Sequence, residues 1–433
     1  MKTFLFENSI FLVLGSIAAI VWANLDSAWG YQSYSHFVHF DLHQLFSSAH
    51  GTVHDAAHVV ATGTDHDAAH SAGHHGLTLH FLVNDILMAL FFAIAAKEVW
   101  EAVLPGGALC DMRKAATPLI GTAGGVIGPA LVYIIGAFAI GNLRDLGPGW
   151  AIPCATDIAF SYLIAKLIFG NGHPAISFLL LLAIADDAIG LAILAVFYPS
   201  AETHFAWLAM TAAAVLTGLA MKRYKVNSFW WYLLVPGVMS WFSFYMAGIH
   251  AALGLVPIIP TLPHAARDRG LFAADDVHTD ALNQFEHWWK NPVELILGLF
   301  ALVNAGVIFS SFGAGTWLVT AGLFVGKPLG IGLFTYGAMR LLKLELPSGM
   351  SMRHVIVVGC VASLGFTVAL FVSTAAFPVP GPIQDSVKMG ALLSFLAPIT
   401  AFGSAIALGI RPVVFGPKRD KTVVGNAAMQ NAS

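Results

Sequence analysis

Two adjacent aspartates, Asp186 and Asp187, stand in the middle of an unbroken apolar run, LLLLAIADDAIGLAILAV. A charged side chain at the centre of a membrane span costs about 2.5–3.5 kcal/mol on insertion scales, so such residues mark function by default. Neighbouring carboxylates in a low-dielectric site cannot both stay ionised cheaply, and they titrate as a coupled unit. A proton or a small hard cation relieves the repulsion, and carboxylate oxygens suit hard ions such as Na⁺ and Li⁺. If protons and a cation compete for one site, that competition is itself exchange chemistry. The bland alternative is a salt bridge between helices, made with Lys327 and serving no transport. Two acids against one lysine leave a carboxylate that such a bridge does not need.

Lys327, in TAGLFVGKPLGIGLF, has two readings. Desolvation disfavours the charged amine and a nearby carboxylate favours it, so it either carries a transported proton or pins the bundle. GLFVGKPLG is not a phosphate loop, because no glycine stands five residues before Gly326 and Pro328 replaces the required hydroxyl residue. Asp157 follows Thr156 in AIPCATDIAFSYLIA, where Pro153 interrupts the run. A helix broken near mid-membrane leaves backbone amides with partial positive charge, which an acid compensates. The Thr156 hydroxyl adds a candidate cation ligand. Gly359, Gly365 and Thr367 in VVGCVASLGFTVALFV permit a second break, although single glycines in spans also serve as packing contacts. With two breaks, Lys327 is suited to balance the carbonyl ends brought together. Asp85 and Glu98 lie on one further span, in NDILMALFFAIAAKEV.

The elements that must position these groups are membrane helices. Of 433 residues, 57% are hydrophobic and 10% charged, against roughly 25% charged in soluble domains. Runs long enough to cross a hydrocarbon layer about 30 Å thick recur at 9–24, 81–104, 116–141, 149–169, 174–198, 203–221, 227–247, 248–261, 293–311, 314–339, 354–377 and 387–410. The spans predict an all-α integral membrane bundle of about twelve transmembrane helices, one domain covering 1–433. The N-terminal run has a basic start but no small-residue cleavage site, and reads as the first span. Cys110, Cys154 and Cys360 suggest neither a disulfide framework nor a metal site.

Basic residues are retained on the cytoplasmic side of short loops. With the N-terminus inside, 17 of the 21 Lys and Arg fall on that side, including Arg113, Lys114, Arg340, Lys343 and the tail over 411–433. Both termini are therefore expected in the cytoplasm. The outward loop over 25–80 carries no Lys or Arg, and residues 36–80 hold eleven of the 18 histidines. There His54 and His58, then His66 and His70, repeat an i, i+4 spacing that places two imidazoles on one helical face, suited to zinc, copper or nickel. The preferred reading is a low-complexity loop whose histidines buffer protons, and no metal site is assigned.

NDILMALFF, GWAIPCATDIAF, LAIADDAIG, AGIHAALG, NAGV, GKPLGI and GFTVALF, in this order over residues 81–371, closely resemble the NhaA family of bacterial sodium/proton antiporters. The resemblance implies a bacterial inner-membrane secondary transporter that expels Na⁺ or Li⁺ against H⁺, serving pH homeostasis without a cofactor. It implies more than one proton per sodium. It also implies inverted-topology repeats, here 116–198 and 314–410, with two interrupted, crossing helices at Thr156–Asp157 and Gly365–Phe366–Thr367. Asp187 would be the principal cation ligand and proton carrier, with Asp186 beside it able to pair with Lys327, and Asp157 and Thr156 lining the site. Glu98 and Glu286 match acids linked to pH activation at a cytoplasmic funnel, and Asp85 corresponds to a further family acid. Where a family member reads LEVKREL, this chain reads KEVWEAV: Lys97 is new, a basic pair is lost, and the later glutamate becomes Ala102, with Glu101 one place earlier. That departure bears on pH sensing rather than on the ion site.

The implied partners are the ions and the lipid bilayer, with a second copy of the chain a candidate and no nucleic acid. The nearest rival is a sodium-coupled solute symporter of the same fold, which would need a second polar cluster that the spans lack. An intramembrane aspartyl protease also uses two buried acids, but its Gly-x-Gly-Asp element is absent here. The chain is thus expected to be no enzyme.

Overall fold

The computed structural model describes residues 10–41, 78–110, 112–264 and 280–415. His54, His58, His66 and His70, Arg267, Arg269 and the lysines of the tail lie outside the described residues. Among the described residues the chain is all-helical, with a lone bridge between Asp41 and Thr78 as its only β-type pairing.

Apart from short turns such as Ser33–Val38, the helices are α1 (Ile10–Trp29), α2 (Leu79–Val103), α3 (Met112–Ala139), α4 (Leu143–Cys154), α5 (Ile158–Phe169), α6 (Pro174–Phe197), α7 (Phe205–Arg223), α8 (229–246), α9 (Ala251–Thr261), α10 (Ala281–Asn304), α11 (Ala314–Leu341), α12 (Met352–Ala362), α13 (Phe366–Ala376) and α14 (Pro382–Ala407). Among the described residues, seven are long and apolar enough to cross a membrane, or up to nine if each bent pair, α4 with α5 and α12 with α13, counts as one span. The other three expected spans depart from a plain apolar helix. Helix α8 contains a π-turn at Leu233–Gly237, around Pro236. Helix α9 is two short 3₁₀ stretches, in keeping with Pro257 and Pro260, which supply no backbone N–H. The span expected at 293–311 is displaced. Helix α10 begins at Ala281, capped by Asp280 accepting from the Asn283 N–H at 2.8 Å, and stops at Asn304. Its first turns carry Glu286, His287 and Lys290 and so have no apolar run to betray them.

Residues 112–197 and 314–407 show the same order of elements: an unbroken helix, a bent pair, a second unbroken helix. Their long members α3 and α11 pack through facing glycines. A methyl on Gly128 would collide with the carbonyl of Gly326, and one on Gly124 with that of Gly330. Backbones approach this closely only where side chains are absent, a familiar device in membrane helices. Large apolar side chains such as Leu14, Ile135, Phe138 and Leu333 remain exposed on the outer faces. This is a multi-pass membrane protein.

Candidate cation site

Helix α4 ends at Cys154 and α5 starts at Ile158, the pair bending by 53°; α12 and α13 bend by 53° at 363–365. The two interruptions touch. The Asp157 N–H donates to the Leu364 carbonyl at 2.7 Å, and the Ser161 hydroxyl to that of Val361 at 3.2 Å. Gly365 lies so close to the Ala155 carbonyl that a Cβ there would collide with it. Gly359, the other glycine singled out in this stretch, is a packing contact against Pro328. Carbonyls freed at the second break are thus met by donors of the first segment, as a lipid environment requires.

The helix ends explain the nearby charges. Lys327 is 0% exposed. Its ammonium donates to the Cys154 carbonyl at 2.5 Å, the Ala155 carbonyl at 2.6 Å and Asp186 Oδ2 at 3.1 Å. An ammonium has three donors, and all are used, two of them on the partially negative end of α4. A π-turn at Gly322–Gly326 immediately precedes it. Asp157 occupies the opposite kind of end. It caps α5, its Oδ1 accepting from the Phe160 N–H at 3.4 Å, while its Oδ2 accepts from the Thr367 hydroxyl at 2.5 Å, in the first turn of α13. One carboxylate thereby faces two partially positive helix starts.

Successive residues of an α-helix point about 100° apart, so Asp186 and Asp187 meet different surroundings. Asp186, 4% exposed, is held by Lys327 and by the Thr156 hydroxyl, which donates at 2.7 Å. Asp187 is only partly buried and has no hydrogen-bond or ion-pair partner among the described residues. The structure therefore brings together Asp186, Thr156, Lys327, Asp157 and Thr367, with Asp187 on the next position of α6.

The other acids make no hydrogen bond or ion pair with this cluster among the described residues. Asp85 lies in a π-turn at Leu82–Leu87, 3.5 Å from His250 Nδ1. On α2, Lys97 is buried and pairs with Glu101 at 2.5 Å and with Glu286 of α10. Glu98, its neighbour, is partly buried. Sequence reasoning missed the bonded pair Asn84–Asn304, joining α2 to α10 at 2.8 and 3.2 Å, and the approach of His250 to Asp85. The signal was available: both asparagines are amides in largely apolar stretches, NDILMALFF and NAGV.

The family described as Na⁺/H⁺ antiporter 1 matches residues 6–406. The Na(+)/H(+) antiporter NhaA of Jannaschia sp. (strain CCS1) is 49% identical over 90% of this chain and 94% of its own length. That of Geobacter sulfurreducens is 45% identical over 94% and 97%. The chain belongs to the Na⁺/H⁺ antiporter 1 family. As a Na⁺/H⁺ antiporter it is a transporter and not an enzyme, which removes the protease reading. The relatives, antiporters by name, lend no support to a solute symporter. Among solved structures, the sodium proton antiporter MjNhaP1 from Methanocaldococcus jannaschii aligns with a TM-score of 0.44 at 13% identity, over 95% of this chain and 99% of that one.

Proposed function

We propose that this antiporter exchanges Na⁺ or Li⁺ for H⁺ at Asp187, with Asp186, Thr156 and Lys327 as the facing wall of the site. The observation that carries this reading is the asymmetry of the acid pair: Asp186 is tied to Lys327 and Thr156, whereas Asp187 has no partner among the described residues. Lys327 balances Asp186, so a single positive occupant neutralises Asp187, and H⁺ and Na⁺ are equivalent in charge there. A hard cation at Asp187 would draw further oxygens from Asp186 and the Thr156 hydroxyl. If Asp186 turns from Lys327 toward the cation, the ammonium loses its counter-ion and can release a second proton, which accounts for more than one H⁺ per Na⁺. Asp157 steadies the paired breaks, and Asp85, Glu98 and Glu286 are the candidates for pH response.

Alternating access fits the repeated order of elements. The stretches 116–198 and 314–410 act as inverted repeats whose crossed breaks hold the site, opening it to one face at a time. The setting is the bacterial inner membrane, with both termini in the cytoplasm. The test is dissipation of a pH gradient in proteoliposomes. Na⁺ or Li⁺ should dissipate it and K⁺ should do little, with no response from Asp187→Asn. Unimpaired exchange by the double variant Asp186→Asn/Asp187→Asn would sink the proposal.

A further inference from the structure

A cavity of about 430 Å³ opens between α2, α6 and α9, beside the helix that carries the two aspartates. Trp100 and Val103 of α2, Ala192 and Ala195 of α6, Phe244 of α8 and Pro257 of α9 are among its walls. Its size falls within the range of about 300–1,000 Å³ typical of ligand sites. The lining side chains are Ala, Val, Leu, Phe and Pro, apart from Trp100. The single side-chain polar group, the Trp100 indole N–H, is buried and has no hydrogen-bond partner among the described residues. Water needs two to four polar partners to be held in a cavity, and these walls do not offer them. The cavity calls for hydrocarbon.

Its rim shows which hydrocarbon. Ala192 is exposed and Val103 is 54% exposed, so the opening faces outward from the spans. The rim runs into the exposed apolar residues Val196 and Phe197 on α6. In a multi-pass membrane protein these faces meet acyl chains, and the cavity continues that interface inward. The walls bear no charge that would recognise a headgroup.

We propose that this cavity is a binding site for one acyl chain of a bilayer phospholipid, inserted between α2 and α9 on one side and α6 on the other. Ala188, next to Asp187, lines it, as do Ala96 and Val99, which flank Glu98 by one or two positions. A chain seated there bears on the helix that carries the ion site, so its length and branching tune exchange. The site rests only on the membrane character of the chain, and its binding test reads no transport; failure of ion exchange and failure of lipid binding are separate results.

Native mass spectrometry of the detergent-purified full chain, stripped of lipid and re-exposed to palmitoyl-oleoyl phospholipids, reads occupancy directly. Phosphatidylglycerol and phosphatidylcholine should each leave one retained lipid, and Ala192→Trp or Ala195→Phe should weaken retention at least about tenfold by filling the space. Equal retention in both filled variants overturns the proposal, as does retention of the anionic lipid alone, which would indicate a headgroup site. Should neither variant fold, lipids brominated at mid-chain take over the test. They should quench the part of the tryptophan emission that Trp100→Phe removes, and an unquenched Trp100 contribution overturns the proposal too.

Discussion

At the scale of single residues, the two lysine-facing and lysine-free carboxylates make opposite predictions for stability and transport. Lys327 satisfies two backbone carbonyls and Asp186 at once, without solvent contact. Removing one partner of a buried pair costs about 3–5 kcal/mol, because the remaining charge is left uncompensated. Lys327→Ala should therefore lower the thermal unfolding temperature markedly and abolish exchange with it. Asp187→Asn removes no bond made within the described protein, so it should leave the unfolding temperature near that of the parent while eliminating Na⁺-driven proton movement. Thermal unfolding in detergent, run beside the proteoliposome assay, separates the two. An equal loss of stability in both variants would mean that Asp187 is structural. The identity of these groups was legible in the sequence because charge in lipid is costly and therefore sparse. Their division of labour rested on the family resemblance: adjacent letters by themselves say nothing of which carboxylate turns toward a lysine 141 positions away.

At the scale of elements, the site is held by helix ends rather than by helix middles. Pro153 and the Thr156–Asp157 pair announced the first break, and Gly365 with Thr367 the second. That the two breaks share their loose hydrogen bonds could not be read, since Asp157 and Thr367 are 210 residues apart. Helix α10 was misplaced by a dozen residues for a related reason: its start is defined by an Asp280 cap and its buried side by Phe285 and Val293, with charged residues between. An apolar-run criterion finds lipid-facing helices and passes over amphipathic ones. The shared break gives a prediction of its own. Thr367→Val keeps the shape of the side chain and deletes the donor to Asp157. A hydrogen bond to a charged group contributes about 1.5–3 kcal/mol, so the variant should unfold at a lower temperature, and Thr367→Ser should restore most of the loss. Equal stability of the valine and serine variants would show that the two half-helices α5 and α13 are coupled by packing alone.

At the scale of the whole molecule, direction matters more than shape, because an antiporter is defined by which ion leaves by which face. The bias of Lys and Arg toward alternate loops predicts that the segment between α2 and α3 faces the cytoplasm. A native reporter sits there. Cys110 is exposed, while Cys154 is buried and Cys360 only partly accessible. A membrane-impermeant maleimide should therefore spare Cys110 in intact cells and modify it in inverted vesicles, with peptide mapping to separate it from Cys360. The opposite pattern would turn the molecule over and exchange the faces to which the Asp186–Asp187 site opens. Protection from both sides would instead place Cys110 within the bilayer or an interface, at odds with its exposure. The same vesicles carry the functional corollary. Inverted vesicles that label at Cys110 should also lose an imposed acid interior on adding Na⁺ outside, so one preparation tests topology by labelling and exchange by proton movement.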